Sequence, residues 1–188
     1  MIRSRFIQMK NYVLGLLLFA FVSCTHGTDK TAGAAADSTD HAAVAGTAGV
    51  ELAKPVEQDI YDGYIKLKNA LVAGESGAAG NAAKELVVSL KAREGCENTA
   101  VIAGRIAAAR DIAAQRKDFT ALSSDLIALF KHAELKKGEI FVQHCPMANN
   151  GDGGDWLASE KSIRNPYYGD EMLECGAVVE EIKTAKGL

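Results

Sequence analysis

Aromatic side chains are scarce: they make up 6% of the 188 residues, with a single tryptophan. Apolar residues nevertheless reach 48%, much of it alanine, and charged residues 24%. A helical domain with small core side chains fits this profile better than a β-sandwich, and the balance is that of a globular chain rather than a disordered one. Apolar runs are short. None reaches the roughly 18 residues a bilayer span requires, which excludes a polytopic membrane protein. Basic clusters are also missing. The first 23 residues hold Arg3, Arg5 and Lys10 and no acid, so the remainder carries 18 basic against 24 acidic groups. A body with net charge −6 and no Lys/Arg cluster argues against nucleic-acid binding, which depends on neutralising phosphates.

The N-terminus reads as an address. Arg3, Arg5 and Lys10 precede an unbroken run of apolar residues and one glycine from Val13 to Val22. That is too short to span a membrane and right for the core of a signal peptide. It ends in Phe21-Val22-Ser23-Cys24, which resembles a bacterial lipobox. Cleavage before Cys24 would leave that cysteine as the lipidated first residue. Acyl chains at about 0.8 kcal/mol per buried CH₂ would then anchor the chain to a membrane. The expected organisation is a signal peptide over 1–23, a lipidated Cys24 with a flexible tether over 24–54, and a folded domain over 55–188. The tether is rich in Ala, Gly and Thr and has no large side chain until Val50. It holds His26 and His41, read as solvated.

Beyond the tether the apolar period is helical. Val56, Ile60, Tyr64, Leu67 and Leu71 recur at steps of three and four, with Pro55 suited to a first helical position. Gly74 to Gly77 interrupt the pattern. Ala79, Ala83, Leu86 and Leu90 form a second stripe, ended by Gly95. Ile102, Ile106, Ala109 and Ile112 form a third, with Asn98 as its expected cap. Phe119, Leu122, Leu126, Leu129, Phe130 and Ala133 form a fourth, with Asp118 as its cap and a close near Gly138. Connections of four to six residues predict antiparallel neighbours in an up-and-down bundle. Tyr61, Tyr64 and His132 read as packing or surface groups, and Cys96 as a lone thiol in a turn.

From Glu139 the period changes. Residues 139–144 and 177–182 are β-branched and read as two strands. The expected fold is therefore mainly α: an antiparallel four-helix bundle with a C-terminal β-hairpin and a long intervening loop. Cys145 closes the first strand and Cys175 precedes the second, so an antiparallel pairing would bring them together. Met147 and Met172 flank them, and His144 is adjacent. Thiolate and thioether donors select Cu(I), and imidazole suits copper as well. Zinc would take two Cys and one His but rarely Met. The alternative is a Cys145–Cys175 disulfide, whose loop of about 30 residues would be worth roughly 3–4 kcal/mol in the chain-entropy model. His144 and Cys145 are consecutive, so on a strand they point to opposite faces. That opposes a Cys–His nucleophile pair and warns that His144 joins the sulfurs only if the chain bends at Pro146. No nucleophile elbow or other catalytic signature is present, and the expectation is a protein that is not an enzyme. Asp152-Gly153-Gly154-Asp155 lacks the remaining oxygens of a calcium loop.

The run Phe141-Val142-Gln143-His144-Cys145-Pro146-Met147-Ala148, then Trp156-Leu157, then Ile163-Arg164-Asn165-Pro166-Tyr167-Tyr168-Gly169, then Met172-Leu173 and Cys175-Gly176, resembles a bacterial family of uncharacterised domains. The resemblance extends over about residues 56–183. Members of that family are small secreted or lipid-anchored proteins, or are appended to periplasmic adaptor subunits of heavy-metal efflux systems. The resemblance implies a metal-handling role at Cys145, Cys175, Met147, Met172 and His144. It further implies a role near copper or similar metals, with a heavy-metal efflux component as a candidate partner, although the family has no established activity. This chain has Ala158 where many members have serine.

Overall fold

The structure, a computed structural model, describes residues 49–184. The signal segment, Cys24, His26 and His41 lie outside the described residues. The elements in chain order are β1 (Glu51–Leu52), α1 (Pro55–Val72), α2 (Ser76–Lys91), α3 (Glu97–Ala108), α4 (Ile112–Phe130), β2 (Leu135–Lys137), β3 (Glu139–Cys145), β4 (Gly154–Ala158) and β5 (Ala177–Lys183). The fold is mainly helical, with four helices followed by an antiparallel sheet region. No described helix is long and apolar enough to cross a membrane.

The helical stripes go where their period sends them. Ile60, Tyr64, Leu67 and Leu71 of α1 are fully buried, as are Ala79, Ala83, Leu86 and Leu90 of α2 and Phe119 and Leu122 of α4. Each helix packs on the next in sequence. Tyr61 meets Phe130 edge-on at 5.5 Å, and Tyr64 stacks on Phe119 at 5.4 Å.

Four helix boundaries differ from expectation. The third helix ends at Ala108, and Ile112 begins the fourth. The cap is Asp111, whose Oδ1 accepts from the Ala114 N–H at 2.8 Å. Asp118 lies inside α4 and pairs with Arg105 at 3.1 Å. Asp111 wins because Ala109 turns to extended backbone and leaves the first N–H groups of α4 in need of an acceptor. Cys96, not Asn98, holds the cap position of α3. The fourth helix stops at Phe130, and Leu135–Lys137 is already strand.

The expected hairpin is part of a three-stranded sheet with β3 at its centre. β3 pairs antiparallel with β5, Ile140 opposite Ile182 and His144 opposite Ala177, with an irregularity at Val142/Gln143. It also pairs antiparallel with β4, Phe141 opposite Ala158 and Cys145 opposite Gly154. The long loop between Cys145 and Cys175 thus contains a strand. A second, two-stranded sheet joins β1 to β2. Leu52, ahead of Pro55, is buried there.

Three contacts fasten the sheet to the helices. The Tyr64 hydroxyl shares a 2.7 Å hydrogen bond with Ser123 of α4 and accepts from the Leu157 N–H of β4 at 3.1 Å. The Lys68 ammonium, fully buried on α1, meets Glu160 at 2.9 Å. Arg116 of α4 donates to the Pro166 and Leu71 carbonyls, each at 2.9 Å. Gly169 makes this last clamp possible. Its φ is +59°, and a Cβ there would stand 2.7 Å from the Val72 carbonyl oxygen and 2.8 Å from the Arg116 guanidinium. Gly169→Ala combines backbone strain with a clash, so it should lower stability by about 2–4 kcal/mol in denaturant unfolding. A loss under about 1 kcal/mol would mean that the loop is not seated on Arg116.

Candidate functional site

Cys145 is the last residue of the central strand and is fully buried. Cys175 is half-buried, in the turn just before β5. The β3–β5 register runs from Ile140 opposite Ile182 to His144 opposite Ala177. One step further places Cys145 beside the Cys175-Gly176 turn. The two thiols adjoin there, and neither is linked in a disulfide. The adjoining Cys145 thiol, then partial burial and that sulfur's charge, pushes the Cys175 thiol above its ordinary value. The Met147 backbone acts in the opposite sense.

The turn carrying Cys175 is held from three sides. Its own N–H donates to the Met172 carbonyl at 3.1 Å. Its carbonyl accepts from the buried Asn165 side chain at 3.0 Å. The Asn165 Oδ1 in turn accepts from the Tyr167 N–H at 2.8 Å, while the Tyr167 hydroxyl donates to the Asp155 carbonyl at 2.8 Å. The Tyr168 hydroxyl donates to the Met147 carbonyl. Gly176, at φ +142°, lets the chain pass the His144 carbonyl, which a Cβ would meet at 2.7 Å. The Asn-Pro-Tyr-Tyr-Gly segment is therefore what seats Cys175 against Cys145.

Both methionine backbones touch Cys175, and both side chains stand at the surface, Met147 52% and Met172 39% exposed. His144 does not join them. Its Nδ1 lies 2.8 Å from Asp155 Oδ1 across the β3–β4 pair, and its ring packs over Gly153. The alternation of a strand accounts for this, since Cys145 faces the core and His144 the opposite side. Cys96 belongs to another part of the fold, at the α2–α3 connection, where Arg93 donates toward its sulfur at 3.6 Å.

Among the described residues, no three His, Cys, Asp or Glu side chains gather around a common point. Zinc needs four donors in a tetrahedron, and this arrangement does not supply them. Two adjoining thiols suit a soft ion of low coordination number, of which Cu(I) is the prime example. Sequence reasoning did not foresee that Asn165 positions Cys175 or that Asp155 holds His144.

Residues 60–138 match the model of a family described as "Protein of unknown function (DUF3347)". That segment runs from the first turns of α1 to the end of β2. The thiol pair lies beyond it, in the sheet region. No curated protein and no solved structure matches the chain.

Proposed function

We propose that this chain is a lipid-anchored extracytoplasmic domain that binds a soft metal, Cu(I) foremost, to sequester it or deliver it to an efflux system. The observation that supports it is the β3–β5 register, which sets Cys145 at the end of β3 beside the Cys175-Gly176 turn, while Met147 and Met172 are exposed. Copper would be held by the two thiolates and could gain a thioether from either methionine. The protein's part is to pre-place two sulfurs that the chain separates by thirty positions, and to keep water from one of them. Membrane attachment would come through Cys24 and its tether. The reading involves no catalysis and no nucleic acid.

Reduced full-length protein, titrated with Cu(I) against a moderate-affinity chelating competitor, should take up one ion per chain and show no comparable Zn(II) uptake. Absence of Cu(I) uptake by fully reduced protein would overturn the reading. The second reading would then stand: a non-enzymatic envelope interaction module stabilised by a Cys145–Cys175 disulfide. The same register favours that as well.

A further inference from the structure

We infer that Cys145 and Cys175 form a dithiol–disulfide exchange couple acting on external disulfides, with Cys175 the attacking thiol and Cys145 the resolving one. This goes beyond metal binding, uses the same pair of sulfurs, and does not depend on the metal reading.

The β3–β5 register sets Cys145 beside the Cys175-Gly176 turn, which supplies the proximity that ring closure needs. Their access differs sharply. Cys145 is fully buried and locked in the central strand, with a partner strand on each side. Cys175 is half-exposed and sits outside the sheet ladder, in a turn whose next residue is a glycine at φ +142°. A bulky disulfide can therefore reach only Cys175. A small rotation of the turn can then present the Cys175 sulfur to Cys145 without moving the strand. Met147 and Met172, close to the two cysteines in the chain, are exposed apolar, adaptable side chains of the kind that accept a peptide or aromatic disulfide.

The chemistry balances within the couple. Cys175 loses its proton to solvent, and its sulfur attacks one sulfur of the external disulfide. The external S–S bond breaks, and one thiolate leaves and is protonated. Cys145 then loses its proton and attacks the Cys175 sulfur of the mixed disulfide, expelling the second thiolate. Two protein thiols are oxidised to one disulfide, and one external disulfide is reduced to two thiols. The closed form has no thiolate to offer a metal, so oxidation also releases any bound ion.

The test uses reduced full-length protein and the aromatic disulfide 5,5′-dithiobis(2-nitrobenzoate), with peptide mass mapping to keep Cys24 and Cys96 out of the count. Wild type should release two thionitrobenzoate ions per pair and end with a Cys145–Cys175 disulfide and no retained adduct. Cys145→Ala should release one and keep the adduct on Cys175. Cys175→Ala should give no label at Cys145 until the protein is unfolded. Cys145→Ser repeats the trapping should the alanine variant fold poorly. A retained adduct on native Cys145, two retained adducts in wild type, or an unreactive native Cys175 would each overturn the inference. Cu(I) uptake is measured separately, so either result can fail without the other.

Discussion

Cys175→Ala and Cys145→Ala should each weaken Cu(I) binding by about a hundredfold or more. Structural metal sites with four ligands yield roughly 10–16 kcal/mol, or about 3 kcal/mol per ligand, which is a factor above 100. A two-thiolate site has fewer donors to share that loss. Met147→Leu and Met172→Leu should cost about tenfold or less, because each thioether is neutral and must be drawn from a solvent-exposed position. Leucine nearly conserves the volume, so folding should be unaffected. His144→Ala should leave affinity unchanged, since its ring is held by Asp155 on the other face of the strand. The ranking, thiols far above thioethers and histidine at zero, is the expected result of competitive titration on reduced protein. A His144 variant as damaging as a cysteine variant would sink the assignment. Affinity should also rise with pH through the neutral range, because the metal must displace thiol protons and the Cys175 proton is held more tightly than usual.

The parts of this fold that could be read from the sequence are those whose side chains keep a single period. The stripes Ile60–Leu71 and Ala79–Leu90 face one way for their whole length and are buried as expected. β4 could not be read, because Trp156, Leu157 and Ala158 are all buried and no polar alternation marks the strand. Helix ends were misplaced where two acids competed as caps. Asp111 and Asp118 are chemically equivalent in the sequence, and only the break in the backbone at Ala109 decides between them. β1 has two residues and owes its order to pairing with β2, a long-range effect with no local signature. At the site, the meeting of Cys145 and Cys175 follows from two cysteines placed at the adjoining ends of an antiparallel pair. The exclusion of His144 follows from strand parity. The hold of Asn165 on the Cys175 carbonyl needs the loop's actual path and could not have been derived.

Lys68 lies on the apolar stripe of α1, four residues from Tyr64 and three from Leu71, and is a charged side chain that the fold buries completely. Its side chain is 0% exposed against 35% for its partner Glu160, at 2.9 Å. Burial pulls the Lys68 pKa below its ordinary value, although Glu160 opposes this. Burial would raise that of Glu160, but the Lys68 ammonium overrides it and, with the Ser159 hydroxyl, holds the carboxylate below its usual range. Removing one partner strands the other. Glu160→Gln should therefore destabilise by about 3 kcal/mol, the low end of the range for broken buried pairs because Glu160 is partly solvated. Removing both charges should be far milder: Lys68→Met with Glu160→Leu should lie within about 1 kcal/mol of wild type. The pH dependence separates the cases. In wild type, the contribution of Glu160 is present above the ordinary carboxylate value and is lost as pH falls through its lower folded value. In Glu160→Gln, the unfolded lysine binds its proton more tightly than the buried one. Stability should therefore recover as pH rises toward the ordinary lysine range. Denaturant midpoints measured across pH would decide it, and a double variant as unstable as Glu160→Gln would show that the loss comes from packing rather than from a stranded charge.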